Sequence, residues 1–164
     1  MIRQALLCAP LLLSLSTAVV ATDFSGSEIG AAIEARRGLM QQTALLAGMV
    51  DMHLNGATED QLFTLSDLAN ATAQSLDAFA LLFPPKSNLQ GGADPIEGVA
   101  TTSAAHVWDD LPAFQQLIRD TAADAREAAR AETIDAFVAS WGKVAPSCAS
   151  CHENFVSYDP FGSL

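Results

Sequence analysis

Five residues near the C-terminus, Cys148-Ala149-Ser150-Cys151-His152, constrain this chain more than any other stretch. Two cysteines separated by two residues and followed directly by histidine fit the attachment pattern of a c-type haem. In that chemistry the two thiols add across the porphyrin vinyl groups, and the adjacent imidazole takes the iron from one side. Residues three and four apart share a helix face, so one helical turn can present Cys148, Cys151 and His152 together. The remaining chain must enclose a flat apolar group and supply whatever faces the iron from the other side.

Other uses of the two cysteines fit less well. A Cys148–Cys151 disulfide would close so small a loop that it constrains the unfolded chain little, and it leaves His152 without a role. A structural zinc site needs four ligands, and the other histidines, His53 and His106, stand isolated. A thioredoxin-like redox pair belongs beside a βαβ pattern, and no coherent strand signal occurs here. The third cysteine, Cys8, lies in an N-terminal segment with its own signature. Arg3 precedes an apolar run from Ala5 to Leu15, and Val19-Val20-Ala21 is a plausible cleavage site. This reads as a signal peptide over residues 1–21, removed from an exported domain over 22–164. The run is shorter than the ~20 residues of a membrane span, so no stable membrane insertion is expected after removal.

Loss of that segment takes away Arg3 and no acid, leaving 19 acidic against 7 basic side chains. Such a charge repels nucleic acid and anionic lipid and favours partners with basic patches. No nucleophile–base pair, carboxylate dyad or Gly-rich phosphate loop suggests an enzyme.

Apolar periodicity predicts four long helices. The first opens at Ser25 with Glu28 three residues on, a capping box, and stops at Asn55-Gly56. Its inward row is Ile29, Ile33, Arg36, Met40, Thr43, Ala47, Val50 and Leu54, alternating steps of four and three as a bundle seam does. Arg36 is the one charged residue in it. The second helix opens at Thr58 with Gln61, presents Leu62, Leu65, Leu68 or Ala69, Thr72, Leu76, Phe79 and Phe83, and ends at Pro84-Pro85. Residues 84–102, rich in Pro, Gly and Asn, read as a long surface crossover. The third helix starts after Thr102 or Ser103 and runs to about Ala129, with Pro112 predicting a kink or loosened first turn. Its alanine-rich second half would admit a neighbouring helix or a flat cofactor closely. The fourth begins near Thr133 and carries the haem motif, ending around Phe155 to Tyr158, with a bend expected at Pro146. The expected fold is all-α, an antiparallel four-helix bundle with the haem near the C-terminal end of helix 4.

Twelve residues follow His152 and none is methionine or histidine, so a protein sixth ligand is expected from upstream. The candidates are Met40, Met49, Met52, His53 and His106. In an up-down-up-down bundle the C-terminal end of helix 4 lies beside the N-terminal half of helix 1. At ~1.5 Å per residue, Met49 and Met52 lie roughly 14 to 18 Å past Met40 along the axis. Met40 is in the right half and on the seam. Core filler is its alternative role, and His106 is not excluded axially. Arg36, one turn before Met40, is either a snorkelling surface arginine or a partner for a haem propionate. Trp108, Phe114, Phe137 and Trp141 read as core and haem-wall residues.

Three patches together resemble the class II cytochromes c, that is, the cytochrome c' family and its low-spin relatives. They are the haem motif at the C-terminal end, Arg36-Arg37-Gly38-Leu39-Met40 on the first helix, and Thr102-Ser103-Ala104-Ala105-His106-Val107-Trp108 opening the third. The resemblance spans essentially the whole mature chain. It implies a periplasmic four-helix bundle with one covalent haem c, often a homodimer. The high-spin branch leaves the iron five-coordinate and binds NO or CO. The low-spin branch has methionine at the position of Met40 as sixth ligand, and an arginine matching Arg36 commonly contacts a propionate. Two features depart from the family: Val156 stands where a basic residue usually follows the aromatic Phe155, and Pro146 precedes the first haem cysteine closely. The expected function is one-electron transfer with His152/Met40 ligation, and the alternative is a five-coordinate, gas-binding cytochrome c'.

Overall fold

The computed structural model describes residues 25–157. The expected leader over 1–21 lies outside them. Among the described residues five α-helices appear in order: α1 (Gly26–Leu54), α2 (Leu62–Ala80), α3 (Leu111–Ala129), α4 (Ile134–Trp141) and α5 (Val144–Phe155). The last two together form the fourth rod of an all-α, antiparallel four-helix bundle. α2 packs against α1 on one side and α3 on the other, and α3 packs against both α4 and α5.

The two capping boxes place the first helix starts. Ser25 Oγ accepts the Glu28 N–H at 3.4 Å, and the Ser25 N–H donates to the Glu28 carboxylate at 2.7 Å. Thr58 N–H donates to Gln61 Oε1 at 3.0 Å, although the first turn there is a 3-10 turn over Glu59–Gln61 and the α-helix proper starts at Leu62. The predicted seam of α1 faces inward throughout, with Ile29, Ile33, Arg36, Thr43 and Val50 buried and Met40, Ala47 and Leu54 half-buried.

Three elements differ from the sequence reading. The third helix starts at Leu111, with Asp110 Oδ1 accepting the Ala113 N–H at 3.1 Å. Residues Ala105–Trp108 form a separate 3-10 turn. Pro112 therefore sits in a first helical turn, where its missing N–H has no partner to lose, and no kink is needed. The fourth rod breaks between Trp141 and Val144 rather than bending at Pro146 itself. Pro146 cannot donate to the carbonyl of Gly142, four residues back. The chain instead tightens there, with Lys143 N–H on the Ser140 carbonyl at 3.2 Å. The alanines of α3 serve a helix, not a cofactor: Ala122, Ala125 and Ala128 are fully buried in the main core.

The crossover is also more than a surface strap. A 3-10 turn at Pro85–Ser87 buries Ser87, and Asn88 organises the following turn by accepting from Gly91 and Ala93 at 3.1 and 3.2 Å. The Asn88 amide leaves no room for a Cβ at Gly91. The segment then returns over α1, where Val99 lies against Gly30.

Phe137 is fully buried at the junction of α4 with the core, stacked on Trp141. Phe137→Ala is expected to cost about 3–5 kcal/mol by cavity formation, read as a lower urea midpoint at unchanged slope.

Candidate haem site

Cys148, Cys151 and His152 fall on the middle turns of α5, with both thiols half-buried and the imidazole exposed. The C-terminal end of this helix is tied down by residues 102–106. Ala104 N–H donates to the Phe155 carbonyl at 2.9 Å, Ser157 N–H to Thr102 O at 2.7 Å, and Ser103 bridges to Val156. His106 Nε2 bonds the Asn154 carbonyl, and its ring lies 5.5 Å from that of Phe155. The histidine left open as a distal candidate thus buttresses the haem helix from outside.

Two adjoining hollows separate α5 from α1. The first, open to solvent, reaches Arg36, Arg37, residues 100–103 and the rings of Phe83, Phe114 and Phe155. The second, also open to solvent, is almost wholly apolar, walled by Ala44, Ala47, Leu76, Leu117, Ile118 and Cys148. Four residues line both: Met40, Phe79, Cys151 and His152. Of the five distal candidates, Met40 is the one in these linings. Met52 is 72% exposed on the outer face of α1, and Met49 and His53 line neither hollow.

Beside Met40 lies a small polar cluster with no signal in the sequence. Thr43 Oγ1 is 2.8 Å from the Leu39 carbonyl and 3.0 Å from Ser75 Oγ, so the peptide preceding Met40 is held from two helices. Aromatic rings wall the first hollow in an edge-to-face row. Phe79 to Phe83, Phe83 to Phe114 and Phe114 to Phe155 stand 5.1, 4.8 and 4.9 Å apart.

Arg36 is only 3% exposed. Its Nη1 donates to the Leu82 carbonyl at 3.1 Å and to Ser87 Oγ at 2.9 Å, and Nη2 donates to Thr101 Oγ1 at 3.3 Å. Its guanidinium sits 4.6 Å from the centre of the Phe83 ring and 5.7 Å from that of Trp108. All three hydrogen-bond partners are neutral, and burial lowers its pKa to about 10. The snorkelling alternative does not hold, because the head group is buried with its stem. Ser87 and Thr101, the partners that keep it there, lie in a segment without periodicity and could not be read from sequence.

The residues present suit a haem. Two thiols on one helical turn open onto an apolar hollow, an imidazole follows them, and a buried cation, Arg36, lines the adjoining hollow.

Burial raises both thiol pKa values. Cys151 is pushed up to about 11, mainly by desolvation with a lesser contribution from Cys148, and Cys148 rises through desolvation and then the charge of Asp51. Both protons are therefore held more tightly in the folded apoprotein than in the unfolded chain, whose thiols titrate near 9. The unfolded state loses them first, so apoprotein stability falls as pH rises from about 9 to 11. Urea midpoints across that range should decline, and less steeply in Cys151→Ala.

The profile of the Cytochrome C' family matches residues 31–156. No curated protein matches the chain by sequence. Among solved structures, a cytochrome c' from Thermochromatium tepidum aligns with a TM-score of 0.65 at 21% identity, covering 83% of this chain and 99% of that one. A second, a cytochrome c' described as having an unusual ligand-controlled dimer dissociation, aligns with a TM-score of 0.63 at 19% identity, covering 79% and 97%. At such identities the structural likeness carries the fold, and the profile match carries the kinship. The chain belongs to the cytochrome c' family and carries that family's covalent c-type haem through the cysteine pair Cys148 and Cys151.

Proposed function

We propose that this chain is an exported, periplasmic one-electron carrier, with His152 as proximal and Met40 as distal ligand of its haem. The observation that supports it is the pairing of Met40 with His152 along both hollows. The haem supplies the Fe(III)/Fe(II) couple, and a His/Met pair raises its potential and closes both axial positions. Arg36 offers a buried positive charge at the polar end of the site, suited to a propionate. The Thr43–Ser75 pair holds the backbone at Met40, and the aromatic row keeps water from the haem face. Among the described residues no helix is long and apolar enough to cross a membrane.

The net negative charge favours a redox partner with a basic patch, through encounters that are weak and salt-sensitive. A homodimer is compatible with exposed Leu45 and Met52 on α1 and Phe63 on α2.

A second reading has its own support, and the family match favours it more directly. In it Met40 stays off the iron and walls an apolar pocket for NO or CO, as Leu76, Phe79 and Thr43 would beside it. The absorption spectrum of the holoprotein separates the two. The carrier is expected to be low-spin, to show the long-wavelength sulfur–iron band when oxidised, and to ignore CO. Met40→Ala should then convert it to a high-spin, CO-binding form. A high-spin wild type whose spectrum shifts with CO establishes the second reading instead.

A further inference from the structure

Trp141 closes α4 and is 4% exposed, packed in the core with Phe137 at a 6.0 Å centroid distance and 19° between planes. Its indole N–H donates across the bundle to Asp51 Oδ1 on α1 at 3.0 Å. Asp51 is exposed, so a surface carboxylate is held in place by a buried donor.

The pair lies beyond one end of the haem site, and neither residue lines the hollows. On α1, Asp51 is one turn beyond Ala47, which lines the same hollow as Cys148. On the fourth rod, Trp141, Val144 and Cys148 follow one another within a single packed cluster. The two elements converge on the first haem-bearing cysteine. In the apoprotein the charge of Asp51 is the second cause, after burial, of the raised Cys148 thiol pKa.

Satisfying the indole N–H needs only an acceptor, and a neutral amide or carbonyl oxygen serves as well as a carboxylate. The negative charge is additional, and it acts on any charge that changes near Cys148. We propose that Asp51, pinned by Trp141 across the α1–α4 seam, is a redox-tuning residue that stabilises the oxidised haem and lowers its reduction potential. One electron added to Fe(III) gives Fe(II) and lowers the positive charge of the site by one, while Asp51 stays ionised. A fixed carboxylate therefore favours the more positive, oxidised state. The inference rests on the covalent haem at Cys148 and not on Met40, so it stands or falls separately from either axial reading.

The test is a potentiometric titration of the holoprotein at pH 7 and low ionic strength, with unfolding midpoints recorded alongside. Asp51→Asn keeps an acceptor for the indole and removes the charge. It is expected to favour the reduced form about three- to tenfold, which is about 28–59 mV upward at ~59 mV per tenfold. Asp51→Glu keeps the charge and should lie closer to wild type than to Asp51→Asn. Trp141→Phe leaves the charge on an untethered side chain and should shift the potential upward by less. The gap between wild type and Asp51→Asn should narrow as ionic strength rises from ~0.01 to ~1 M, where the Debye length falls from about 30 to 3 Å. Equal potentials for wild type and Asp51→Asn at low salt overturn the proposal. So does a gap that salt leaves unchanged, or an Asp51→Glu potential matching Asp51→Asn.

Discussion

The buried guanidinium of Arg36 joins the parts of this molecule that sequence leaves separate. It reaches from α1 to the Leu82 carbonyl just past α2 and to two hydroxyls of the crossover, and it lies over the Phe83 ring. Taking a cation out of water is costly unless its hydrogens are bound and its charge is met. Neutral oxygens and ring faces meet the first need. The ring faces of Phe83 and Trp108 also meet part of the second. The crossover is thereby drawn down onto α1, which brings residues 100–103 to the rim of the hollow.

The haem helix is held from two sides by different means. Apolar contacts through Val144, Cys148, Cys151 and Phe155 attach it to the core. Backbone hydrogen bonds from residues 102–104, with His106 beside them, fix its last turn. The break before Pro146 frees this short helix from the direction of α4, so its angle is set by these local ties. A c-type site benefits from that independence, because two thioether bonds and an axial ligand must share one geometry.

Much of the bundle was legible in sequence because its signals are local. Capping boxes at Ser25 and Thr58, and the four-three spacing from Ile29 to Leu54, depend on residues within a turn of each other. The same locality misled at the prolines. Apolar spacing continues through Trp108 and would put Pro112 inside a helix, yet Asp110 provides a better start. Pro146 suggests a bend at its own position, whereas the hydrogen bond it removes belongs to Gly142, four residues earlier. The alanines of α3 signalled close approach but not of what.

The sequence by itself determined the haem attachment, the number of long apolar segments and the inward placement of Arg36 and Met40. Covalent chemistry and a 3.6-residue period act over one or two turns, and both are written in adjacent residues. Only the tertiary structure decided that Met40 lines the same hollows as His152 while His106 braces α5 from behind. It also decided that Ser87 and Thr101 hold Arg36, and that Trp141 meets Asp51 ninety positions away. Those pairings depend on how rods pack and where a non-periodic crossover lands, which are properties of the whole core rather than of any segment.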